Sequence, residues 1–189
     1  MSMIKKAAGG TAIVVFVTAV MTTILALPSW ASATKAIIYL STDDFLKQSF
    51  SGDVPEPRTV WIKGTLKSEI HKTLEHDYPA LRVRYWLKGD RSAWILDEIG
   101  KEKPLTAGFI IQNNKLERVR LLVFRESRGD EVRYPSFTEQ FTGASLNSKQ
   151  QLDRRIDGIS GATLSVNAIR KLAAVALQLS DHIAQQQAN

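Results

Sequence analysis

The chain has 189 residues, 44% hydrophobic and 23% charged, with a formal net charge of +6 and no cysteine. That composition suits one globular domain plus an accessory segment. The missing cysteines exclude disulfides, a lipidated cysteine and thiolate ligands for a metal or iron–sulfur cluster, so stability must come from the core.

The accessory segment comes first. Lys5 and Lys6 precede an apolar run from Ala12 to Leu27, Pro28 breaks the helix, and Ala31-Ser32-Ala33 offers a small-x-small cleavage site. Residues 1–33 therefore read as an export signal, placing the protein in the periplasm or an equivalent extracytoplasmic space. The run is also long enough to be kept as a membrane anchor, but the proline and the Ala-x-Ala favour cleavage. Without residues 1–33 the chain loses two lysines and no acids, leaving 23 basic against 19 acidic side chains and a charge of +4. The remaining residues 34–189 are enough to bury a core.

Ala36 to Leu40 opens this part, followed by Ser41 and Asp44 at capping-box spacing ahead of a short helix through Phe45, Leu46 and Phe50. Gly52 to Pro57 is a loop, Thr59 to Ile62 a strand, and Gly64 punctuates it. Leu66, Ile70 and Leu74 recur every four residues, predicting a second short helix that ends before Pro79. His71 and His76, five apart, do not share a helical face; they read as surface histidines rather than metal ligands.

From Leu81 the period is two. Leu81 to Trp86 and Ala93 to Leu96 form a hairpin about Gly89-Asp90, and Thr106 to Gln112 and Leu116 to Phe124 a second about Asn113-Asn114. Val119, Leu121 and Val123 should face one side, and Arg118, Arg120 and Leu122 the other. The expected fold class is α+β: a twisted antiparallel sheet of about four strands, short flanking helices and one long C-terminal helix. One sheet face is basic; solubility explains it better than a polyanion, and no aromatics interleave to stack nucleic-acid bases. Ile169, Leu172, Ala176, Leu179 and Ile183 step by three and four, predicting the long helix with an apolar stripe against the sheet.

Before that helix lies Asp157-Gly-Ile-Ser160-Gly161-Ala162-Thr163-Leu-Ser165. Two hydroxyls and a permissive glycine where a helix begins make a good phosphate receptor; the plainer reading is that Ser160 or Thr163 caps the helix. Upstream, Glu126, Ser127 and Gly129 follow the last strand, and Phe137, Gln140 and Phe141 sit in a short helix over Ser136 to Phe141. Glu126 and Ser127 read either as pocket-lining residues or as part of a plain connection; Phe137 and Phe141 read as core.

The stretch resembles the flavinylation motif of the FMN-binding domain family: Asp157, Ser160, Gly161, Ala162 and Thr163 match, and Glu126, Ser127, Gly129, Phe137, Gln140 and Phe141 take the places of the family's second recurring feature. A later hydroxyl position of the family is Val166 here, with Ser165 one place earlier. That family includes the periplasmic flavin subunits of sodium-translocating NADH:quinone oxidoreductase and Rnf complexes. The resemblance implies FMN joined to Thr163 through a phosphoester, attached from FAD by a separate flavin transferase. It gives Ser160, Gly161, Ala162, Asp157, Ser165, Glu126 and Ser127 as further cofactor-binding residues, and electron transfer between a protein donor and acceptor as the role. Trp86, Trp94 and Tyr134 are candidates for the ring's wall, against their reading as ordinary sheet and loop aromatics. With no Gly-rich dinucleotide loop, triad or metal cluster in the sequence, self-contained turnover of a small substrate is not supported. The rival readings are a cofactor-free exported binding or assembly module and a noncovalent FMN-binding protein.

Overall fold

A computed structural model describes residues 35–188, so the expected export segment lies outside the described residues. Among the described residues, no helix is long and apolar enough to cross a membrane.

The two hairpins form as the alternation predicts. Strands β3 (Arg82–Lys88) and β4 (Arg91–Ile99) turn at Gly89-Asp90; β5 (Pro104–Gln112) and β6 (Lys115–Phe124) turn at Asn113-Asn114, both with positive φ. Asparagine tolerates that conformation better than most residues, which suits a two-residue hairpin. The sheet is wider than the expected four strands. Short edge strands β1 (Ile37–Ile38) and β2 (Arg58–Trp61) pair with β6 and β3, giving the all-antiparallel order β1-β6-β5-β4-β3-β2.

Helix α1 (Thr42–Ser49) starts where Ser41 Oγ accepts the Asp44 N–H at 3.1 Å. It lays Phe45, Leu46 and Phe50 on Trp86, Ala93, Ile110 and Leu122, covering part of the face expected to be solvated and basic. Phe45 lies so close to the sheet that a β-carbon on Gly108 would stand 2.6 Å from its ring.

The opposite face carries the main core with α2 (Gly64–Leu74) and α4 (Thr163–Ala188). A register shift between Thr106 and Ala107 corrects the expected side of Val123. Leu122 is the extra residue of a β-bulge, so Leu122 and Val123 both pack toward α1, and Phe124 returns to the main core. The segment expected as one helix over 136–141 is α3 (Pro135–Thr138) continued by a 3₁₀ turn to Phe141, with Phe137 and Phe141 edge-on at 5.4 Å.

The predicted stripe of α4 is buried, but so is every residue from Leu172 to Ser180. The sheet covers one side of the helix, and α2 with the loop around Gln150 covers the other. Gln178 donates to Thr73 Oγ1 at 2.8 Å and to the Gln150 carbonyl at 3.3 Å, and Lys171 to the Leu74 carbonyl at 2.8 Å. Ala173, Ala174 and Ala176 allow that close approach.

Candidate functional site

The motif is a turn clamped at both ends. Ile156 is buried before it and Ala162 at its close, while Asp157, Ser160, Gly161 and Thr163 are exposed. The Ala162 N–H donates to the Ile159 carbonyl at 3.0 Å across Ser160-Gly161. Gly161 has φ +84, a conformation that side chains adopt at a cost, and a β-carbon there would meet nothing within 4 Å. The turn is thus sharp and open on its outer side.

Thr163 is the first residue of α4. The Val166 N–H donates to the Ala162 carbonyl at 2.9 Å, beginning the helical ladder, so the N–H groups of Thr163, Leu164 and Ser165 precede it. With the positive end of a 26-residue helix dipole behind them, they favour an anion beside the Thr163 hydroxyl.

The remaining expected residues fall in two places. Asp157 stays with the turn: its N–H donates to Gln140 Oε1 at 2.7 Å and its carboxylate lies 3.6 Å from Arg155. Gln140 thereby ties the two family-like elements together. Ser165, by contrast, points into the body of the protein and is 4% exposed; its Oγ would be 2.5 Å from a β-carbon on Gly129 and 3.8 Å from one on Gly100. Glu126 lies beside it, since the same β-carbon on Gly100 would be 2.8 Å from Glu126 Oε1. That oxygen accepts the N–H groups of Lys101, Glu102 and Lys103 at 2.6, 3.0 and 3.2 Å. Burial pushes the Glu126 carboxyl up, but these three N–H groups and the Lys101 charge bring it below the usual carboxylate range. Glu126 therefore pins the turn after β4, and Ser127 is exposed on the adjoining loop.

Two of the three aromatics proposed as a ring wall, Trp86 and Trp94, are packed within the sheet layers, and the third is occupied by an arginine. Trp86 is under α1, Trp94 is fully buried and stacked on Tyr85 at 5.0 Å, and Tyr134 holds Arg133 over its ring at 4.2 Å.

A cleft of about 950 Å³ runs beside the first turns of α4, between α2, the end of β4 and the loop 148–154. Leu164, next to Thr163, lines it and is half exposed. Lys72, Lys149 and Arg170 line it without an ion pair among the described residues. Sequence reasoning missed this cleft and its buried member Glu98, because its walls come from segments nearly a hundred residues apart. His76, which bonds to Glu98, read as a surface histidine.

Residues 100–178 match the family model of the FMN-binding domain. The match runs from the end of β4 through most of α4 and contains the whole turn from Asp157 to Thr163. No curated protein matches the chain at a significant level.

Proposed function

We propose that the protein is an exported flavoprotein that carries FMN on Thr163 as a phosphoester and relays electrons between redox partner proteins. The observation that carries this reading is the exposed Thr163 hydroxyl, at the head of α4 beside an open glycine turn, within a segment of the FMN-binding domain family. The residues fit the group. The unladdered N–H groups of the helix start and the open side of Gly161 receive the phosphate, and the basic cleft beside Leu164 offers room for the remainder.

Attachment forms a bond between Thr163 Oγ1 and the phosphorus of the FMN half of FAD. The pyrophosphate bond to AMP breaks, AMP leaves, and the hydroxyl proton passes to a base. A threonine hydroxyl is a weak nucleophile, and activation is assigned to the flavin transferase and its metal, with exposed Asp157 holding the turn or taking the proton. Bound FMN supplies the redox chemistry, and the chain positions it and excludes or admits water. Export is supported by the lysines, apolar run and Ala31-Ser32-Ala33 of the N-terminal segment.

The test is co-expression of the full chain with a flavin transferase, followed by denaturation. The expected result is flavin fluorescence on the denatured band and a mass gain of one FMN less water. Flavin released on denaturation would replace the covalent reading with a noncovalent one, and no bound flavin under native conditions would overturn both.

A further inference from the structure

Among the described residues, Glu98 is the only buried residue whose side chain carries a formal charge. It continues the row of Trp94 and Leu96 on the face of β4 that builds the main core, a place where a carboxylate is costly unless its oxygens are paired. Only one of them is. Oε1 lies 2.9 Å from His76 Nε2, whereas Oε2 is buried with no hydrogen-bond partner among the described residues. The other nitrogen of His76, Nδ1, lies 2.9 Å from the Asp77 carbonyl, which can only accept; this bond fixes the ring and aims Nε2 at Glu98. The carboxylate is therefore held from one side and uncommitted on the other, and Glu98 lines the cleft beside α4.

The cleft has the proportions of a tethered flavin. Its α4 wall runs from Leu164 to Ala174, about 15 Å of helix. Gly100, two residues after Glu98, lies against Ser165, and Lys171 bonds to the Leu74 carbonyl and to Glu75, the neighbour of His76, so the His76–Glu98 pair stands alongside the first turns of α4. A phosphate, a five-carbon chain and a flat fused ring need a groove of about this length. The ring's pyrimidine end carries an imide N–H, the donor that an unpaired carboxylate oxygen recognises. Glu98 and His76 both precede the segment that matches the family model.

We propose that Glu98 reads the flavin ring: its Oε2 accepts a hydrogen bond from the imide N–H, and His76 is the positioning residue that holds the carboxylate toward the cleft. The proposal rests on the flavin reading above and adds a specificity-determining residue to it. The N–H compound gains a hydrogen bond to a charged acceptor that the N–methyl compound cannot make, worth about tenfold or more in affinity, so the site should discriminate sharply between the two.

The experiment titrates the flavin-free full chain with riboflavin and with riboflavin methylated on the imide nitrogen, following quenching of flavin fluorescence. Neither compound has a phosphate to join to Thr163, so the outcome is independent of covalent loading. The wild type should bind riboflavin at least about tenfold more tightly than the methylated compound. Glu98→Leu should erase the preference while keeping affinity for the methylated compound, Glu98→Gln should retain it in part, and His76→Phe should weaken it. Equal affinity of the wild type for both compounds overturns the proposal, as does absence of riboflavin binding or a preference that survives in Glu98→Leu. Should Glu98→Leu fail to fold by circular dichroism, the wild-type comparison and His76→Phe decide. The covalent reading stands or falls separately, on the mass gain at Thr163.

Discussion

The turn after β4 and the turn before α4 each gather a cluster of backbone N–H groups, and they dispose of it in opposite ways. After β4, Lys101, Glu102 and Lys103 aim theirs at the Glu126 carboxylate, so the chain supplies its own anion. Before α4, the N–H groups of Thr163, Leu164 and Ser165 stand ahead of the helical ladder, and the nearby hydroxyls of Ser160 and Thr163 are exposed. The same backbone chemistry is scaffold where an internal carboxylate fills it and is left open to an external anion where the turn is exposed. Ser165 marks the divide: two residues past Thr163, it already packs against Gly129 and Gly100 on the Glu126 side.

The sharpest test of this contrast is at the open turn before α4. Thr163→Val should abolish covalent labelling completely while shifting unfolding free energy by no more than about 0.5 kcal/mol, as expected for an exposed side chain. Labelled protein of unchanged mass gain would move the attachment point elsewhere. At the scaffold the signs reverse. Glu126→Ala leaves three N–H groups without their acceptor and should cost about 1–3 kcal/mol in urea denaturation; a loss under about 0.5 kcal/mol would show that the turn does not depend on it.

A pair of glycines sharpens the comparison further. Gly129→Ala must hold φ +97 and push its β-carbon to 2.5 Å from Ser165 Oγ, at a cost of about 2–3 kcal/mol. Gly161→Ala has φ +84 but open space, and should cost about 1 kcal/mol. Equal melting shifts for the two would contradict the difference in packing.

The smallest effect is a pH dependence. Bonding to the Asp77 carbonyl and to Glu98 raises His76 above its ordinary 6.5. A raised folded value contributes stability that is full below pH 6.5 and is lost as pH climbs through the folded value. Its ring is nearly half exposed, so the effect should stay under about 1 kcal/mol. His76→Phe should flatten the stability profile from pH 6 upward; an unchanged profile would assign the dependence to another group.

Most of the fold is legible in the sequence because it is local. The two hairpins, the Ser41 cap and the spacing of Leu66, Ile70 and Leu74 each carry their signal within a few residues. The sheet's width is not local: β1 has two residues and β2 four, too few for alternation to register, and their partners are remote in sequence. The full burial of α4 has the same cause, since its second side is closed by Gln150 and α2 across long separations. Within the site, the turn from Asp157 to Thr163 is contiguous and readable. Glu126 is readable as a polar loop residue but not as the hub of Lys101 to Lys103, and Glu98 meets His76 only because β4 passes the end of α2.

The bulge at Leu122 has a mechanical side. Because β6 gives Leu121 and Phe124 to the α4 layer and Leu122 and Val123 to the α1 layer, a single strand is stitched into both hydrophobic clusters. Neither layer can peel away without dragging that strand from the other. Strain placed on the outer helix is transmitted to the sheet that supports α4, and the two layers should unfold as one cooperative unit.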